Sequence, residues 1–139
     1  MSKTTLVLAC LTALAVSACA APETYQGPMS AAYETPRTNS RGVGTVVATV
    51  YPTTLAMTYT VKYQDLTGPA TAAHVHGPAA PGANAPVVIA ATVTPGTITG
   101  GATLTPAQLA DLQAGKYYFN IHTAANPGGE IRGQMLRAQ

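Results

Sequence analysis

The chain has three histidines, His74, His76 and His122. Neutral imidazole is the commonest side-chain ligand for transition metals near neutral pH. His74 and His76 are two apart in AHVHG. In a strand, residues two apart project from one face, so both rings can reach a single ion. His122 ends the segment YYFNIH. There Tyr117, Phe119 and Ile121 fall on one side, leaving Tyr118, Asn120 and His122 on the other. Three imidazoles at one point would make a competent copper or zinc site. Glu130 would serve as a further ligand or would orient an imidazole from behind. Convergence depends on strand order, which alternation does not supply. In the plainer reading, the three rings only hydrogen-bond to backbone.

The sequence contains no other catalytic constellation. It has no G-x-S-x-G elbow, phosphate-cradling loop or H-E-x-x-H helix. Glu130 and Arg132 are two apart on one strand face, which suits a salt bridge or turn-stabilising hydrogen bonds better than catalysis. Asn126-Pro127-Gly128-Gly129 reads as a hairpin turn. The tyrosines, seven against one Phe, offer a recognition surface, although several alternate into the expected core.

The elements that must position these residues are strands. Residues 44–50 (GTVVATV) and 55–63 (LAMTYTVKY) are the clearest, and the second alternates with period two. Residues 72–76, 87–93, 117–122 and 130–136 are further strands, and 77–86 (GPAAPGANAP) is a Pro/Gly loop. If every apolar face meets one core, then His74, His76, Asn120, His122, Glu130 and Arg132 all lie on outer faces. One helix interrupts the pattern. Thr105-Pro106-Ala107-Gln108 combines an N-cap, a proline at the first helical position and a capping-box glutamine, and Gly115 supplies the stop. About seven short strands with frequent turns predict an all-β fold, an antiparallel sandwich or barrel with one short helix.

Composition narrows the class. Seven Lys/Arg stand against five Asp/Glu, without the basic clustering that a nucleic-acid partner requires. The 11 prolines and 13 glycines argue against a helix bundle. A 47% hydrophobic content argues against disorder. At 139 residues the chain holds one modest domain.

The first 18 residues read as a signal peptide of the lipoprotein type: Lys3, then the apolar run 6–16, then Val16-Ser17-Ala18-Cys19. That run is too short to span a bilayer. Cleavage before Cys19 would discard Cys10, leave no cysteine pair, and free Cys19 for lipidation and stable membrane anchoring. Ala20 after the cysteine, with no Asp there, suits an exported protein anchored at the outer membrane, facing the periplasm. Residues 19–29, with two prolines, read as a tether, and 30–139 as the domain.

The motifs carry a resemblance. AHVHGP at 73–78 and NIHTAANPGGEIRGQ at 120–134 resemble the CHRD (chordin) domain family. Glu34-Thr35-Pro36, SRGVG at 40–44, LTG at 66–68 and LQAGKY at 112–117 fit it too, so the likeness runs over residues 26–136. Ala85 stands where a glycine commonly precedes the proline, and Pro36 is single where the family often has two. The resemblance implies an immunoglobulin-like β-barrel or sandwich of Greek-key type, distantly similar to copper–zinc superoxide dismutase. It attaches no general catalytic activity. Members range from microbial envelope proteins to chordin, which binds growth factors. Three function classes follow: a lipid-anchored envelope module without catalysis, with or without copper or zinc on its histidines; an extracellular protein-binding or adhesion module; and a copper-dependent redox enzyme resembling superoxide dismutase. Three histidines do not supply a full dinuclear set, and a shared fold does not transfer a reaction.

Overall fold

Period-two alternation needs a sheet whose two faces differ, and the computed structural model, which describes residues 20–139, supplies one. The strands are β1 (Glu23–Ser30), β2 (Val43–Tyr51), β3 (Ala56–Gln64), β4 (Ala70–His76), β5 (Val87–Ala91), β6 (Thr97–Thr103), β7 (Tyr118–Thr123), β8 (Ile131–Gln134) and β9 (Leu136–Arg137). All pairings are antiparallel, in the order β5-β4-β7-β8-β1-β2-β3-β6, with β9 also on β1. The end strands β5 and β6 come into contact, so the sheet curls into a nearly closed barrel. The long connections β3 to β4 and β6 to β7 join strands that are not sheet neighbours. That is what brings His122 beside the His74/His76 pair. The expected all-β barrel or sandwich with one helix is therefore the observed fold.

Inward residues fill the barrel: Met57, Tyr59 and Val61 from β3, Val75 from β4, and Phe119 and Ile121 from β7 are all buried. The helix α1 (Pro106–Gln113) forms where its caps require. Thr105 Oγ1 accepts from the Gln108 amide at 3.2 Å, and Gln108 Oε1 accepts from the Thr105 amide at 2.8 Å. Leu112 goes into the core, and Gly115 ends the helix at φ +71°. No helix among the described residues is long and apolar enough to cross a membrane.

Two strands depart from expectation. The segment taken for a tether is largely β1, which pairs with β2 from Glu23↔Val50 to Ser30↔Val43 and buries Tyr25 and Met29. Its alternation is real, but Gly27 and Pro28 in the middle disguise it as a linker. The glycine is required there, because a Cβ would stand 1.9 Å from the Gln134 carbonyl oxygen. The strand β6 (TITGGAT) was not expected. Its Gly100 makes room for Tyr59, whose hydroxyl would lie 2.2 Å from a Cβ at that position. The expected signal segment, residues 1–18, and Cys19, the expected lipidation site, lie outside the described residues.

Candidate metal centre

The ladder between β4 and β7 sets His74 opposite Asn120, His76 opposite Tyr118, and Ala72 opposite His122. Directly opposed residues on one face approach within about 5 Å at Cβ. All three histidines therefore project from the same patch of the outer face. Ring centroids of His74 and His122 are 4.9 Å apart, those of His74 and His76 5.4 Å, and those of His76 and His122 6.3 Å. One nitrogen from each ring falls within 4.8 Å of the other two. Among the described residues no cysteine, aspartate or glutamate joins the cluster.

Backbone carbonyls fix the tautomers. His76 Nδ1 lies 2.9 Å from the Ala85 oxygen, and His122 Nδ1 lies 2.9 Å from the Pro127 oxygen. A carbonyl only accepts, so both Nδ1 atoms carry the proton and both Nε2 atoms present a lone pair. A carbonyl behind a ligating imidazole is the usual support of a metal-binding histidine. His122 Nε2 is met by His74 Nδ1 at 3.0 Å. His76 Nε2 is buried with no partner. Burial, then the charge of the neighbouring rings, lowers the pKa of His74. Burial also lowers that of His122, outweighing the bond to Pro127. In both rings burial thus favours the neutral form that a metal requires.

The rest of the polar face is covered, not solvated. His76 stacks parallel on Tyr118 at 4.9 Å, and the Arg132 guanidinium carbon sits 3.3 Å from the centre of the Tyr118 ring. The loop 77–86 closes over this stack. Tyr118 Oη accepts from the Ala85 amide at 3.1 Å, Arg132 Nη2 donates to the Ala83 oxygen at 2.8 Å, and Arg132 Nη1 to Asn84 Oδ1 at 3.3 Å. Arg132 is only 1% exposed. Outer-face placement is correct for His74, His76, Asn120, His122 and Arg132. Their exposure is not what an outer face implies, because alternation cannot see a loop folded back upon it.

Glu130 is the clear correction among the expected site residues. Its carboxylate accepts from Ser40, Thr67, Thr123 and Asn126 and from no imidazole, so it neither ligates nor orients the histidines. It forms no ion pair with Arg132 either, and turn-stabilising hydrogen bonds are what it makes. Glu34, which the sequence marked only as part of the family-like segment Glu34-Thr35-Pro36 and not as a site residue, lies in the same layer at 6% exposure. Burial pushes its carboxyl up to about 7, against the pull of Arg132, the Thr35 amide and Asn120. Its signal was faint, a lone acid between turn residues.

Gly129 lies against both Glu34 and Asn120. Its φ is +129°, and a Cβ there would stand 2.6 Å from Glu34 Oε1 and 2.8 Å from Asn120 Nδ2. Gly129→Ala is expected to cost about 1–3 kcal/mol in strain, read as a lowered midpoint in urea unfolding. Gly128→Ala, with open space around its Cβ and no positive φ, serves as the control.

The model of the CHRD domain family matches residues 25–135. No curated protein and no solved structure matches the chain.

Proposed function

The chain belongs to the CHRD domain family, and from that premise we propose that it works as a non-catalytic binding module of the bacterial envelope. In this reading it is lipid-anchored through Cys19 and holds a copper or zinc ion on His74, His76 and His122. The observation that carries the metal reading is the convergence of three imidazoles, one of them with a buried, unpartnered Nε2. Three imidazoles suit zinc and copper, and two of the rings are already oriented by carbonyls.

Calorimetric titration of zinc, and then copper, into the chain with both cysteines replaced by serine tests it. One ion per chain is expected, with affinity lowered about a hundredfold or more in His74→Ala and in His122→Ala, since even supporting residues of metal sites cost up to that much. Binding unchanged in both variants would place the metal elsewhere.

A second reading, an extracellular protein-binding or adhesion module, draws on a different feature. A cleft of about 490 Å³ lies beside Arg132, and Tyr33 and Leu136, each 51% exposed, stand on its lining. A chain that takes up neither metal would favour that reading. A copper-loaded chain with dismutase activity above that of free copper would favour a redox enzyme instead.

A further inference from the structure

Among the described residues, three buried side-chain polar atoms lack a hydrogen-bond partner: His76 Nε2, Asn120 Oδ1 and Glu34 Oε1. All belong to the covered layer around the histidines. An ion accounts for the first. Leaving a buried amide oxygen bare costs about 1–3 kcal/mol, so Asn120 calls for its own account.

Its position gives one. Asn120 is opposite His74 in the ladder, two residues before His122 on the same face, and two after Tyr118, the partner of His76. His74 and His122 are therefore its same-face neighbours, and His76 lies on the diagonal. Its Nδ2 is turned to Gly129 and Glu34, so Oδ1 is the branch left without a partner. The donors nearby are already committed. Arg132 donates to Ala83 and Asn84, and His76 and His122 donate from Nδ1 to carbonyls. An ion held by three imidazoles keeps a fourth position for a further ligand. A water there has O–H groups to donate, whereas an anion without hydrogen has none.

We infer that Asn120 is the positioning residue of this centre, its Oδ1 accepting a hydrogen bond from a water on the fourth position of the ion. This rests on the metal reading above. The consequence is selectivity: the centre favours fourth ligands that donate a hydrogen bond and disfavours anions that only accept.

Cobalt(II), followed by its visible bands, is the probe, with azide as the competing fourth ligand. The chain with both cysteines replaced by serine is compared with the same chain carrying Asn120→Leu or Asn120→Asp. Asn120→Leu is expected to bind cobalt within about threefold of the parent yet to take azide about five- to tenfold more tightly, because the water has lost one hydrogen bond. Asn120→Asp keeps an acceptor and adds charge, so azide binding weakens. A purely structural asparagine would not move azide affinity in opposite directions. Azide affinity unchanged or weakened in Asn120→Leu overturns the inference while leaving the metal site standing. Should that variant not fold, azide affinity unchanged in Asn120→Asp overturns it equally. Failure of the parent chain to bind one cobalt overturns the metal reading and this inference with it.

Discussion

Glu130→Ala is expected to lower the unfolding free energy by about 3–5 kcal/mol, the usual loss when a buried charge network is broken. Glu130 is fully buried. Its carboxylate accepts from Ser40 Oγ at 2.5 Å, the Thr67 amide and Thr67 Oγ1 each at 2.7 Å, Asn126 Nδ2 at 3.1 Å, and Thr123 Oγ1. Thr38 Oγ1 donates to its backbone oxygen at 2.9 Å. One side chain thus joins the segment before β2, the segment between β3 and β4, and the turn between β7 and β8. Alanine leaves those donors facing each other without an acceptor. Burial by itself would raise the carboxyl, but the bonds from Ser40, Thr123 and Thr67 outweigh it and hold it at about 2, against 4.5 unfolded. A depressed carboxyl stabilises the fold above its unfolded pKa and loses that contribution as pH falls through the folded one. The loss therefore runs from about pH 4.5 down to about pH 2 and amounts to about 3 kcal/mol. Glu34 runs the other way: its raised carboxyl favours folding at low pH, and that contribution fades as pH rises from 4.5 through about 7. Urea unfolding of the parent and Glu130→Ala at pH 7 and pH 3 separates the two. The stability gap between parent and variant should narrow markedly at pH 3, while the gain from Glu34 is common to both. An unchanged gap between the two proteins at pH 7 and pH 3 would show that Glu130 does not carry the acid sensitivity.

What the sequence discloses and what it hides divide along physical lines. The strand β3 is legible because Met57, Tyr59 and Val61 face a core and Thr58, Thr60 and Lys62 face water, which is what period two records. The helix is legible because a capping box is a local contact between Thr105 and Gln108. The strands β1 and β6 are obscured by Gly27, Pro28, Gly100 and Gly101, of which Gly27 and Gly100 answer to close approaches from distant segments. Local propensity reads such residues as turns. At the candidate centre, the sequence places His74 and His76 on one face. The nearness of His122 needs the pairing of β4 with β7, strands separated by β5, β6 and the helix. Glu130 stands close to His122 in sequence, yet its carboxylate turns to hydroxyls from two other segments, and no spacing rule anticipates that.

Arg132→Met is expected to cost about 2 kcal/mol and, with it, about tenfold in zinc affinity, although Arg132 touches no histidine ligand atom. Two effects oppose each other. Methionine spares the desolvation of a guanidinium that is 1% exposed, and exchanging buried charge for apolar volume is often neutral or better. Against that, Ala83 O and Asn84 Oδ1 lose their donor, and Glu34 loses the cation that counters its burial. Ala83 and Asn84 are exposed, so water replaces the donor there, but each acceptor loses a bond from a charged group, worth about 1.5–3 kcal/mol, so the loss outweighs the gain. Methionine still packs on Tyr118, so that ring keeps its place. What changes is the loop 77–86, which keeps Asn84 on the Thr35 carbonyl but loses both bonds from Arg132, so that Ala85 is held less firmly against His76 and Tyr118. Because the Ala85 carbonyl holds the proton on His76 Nδ1, a loosened loop lets that ring turn and present the wrong nitrogen to the ion. Hydrogen exchange at the Ala83 and Ala85 amides should speed up in the variant, and zinc should slow the Ala85 amide again. If zinc affinity falls while both amides stay protected, Arg132 acts through the stack on Tyr118 and not through the loop.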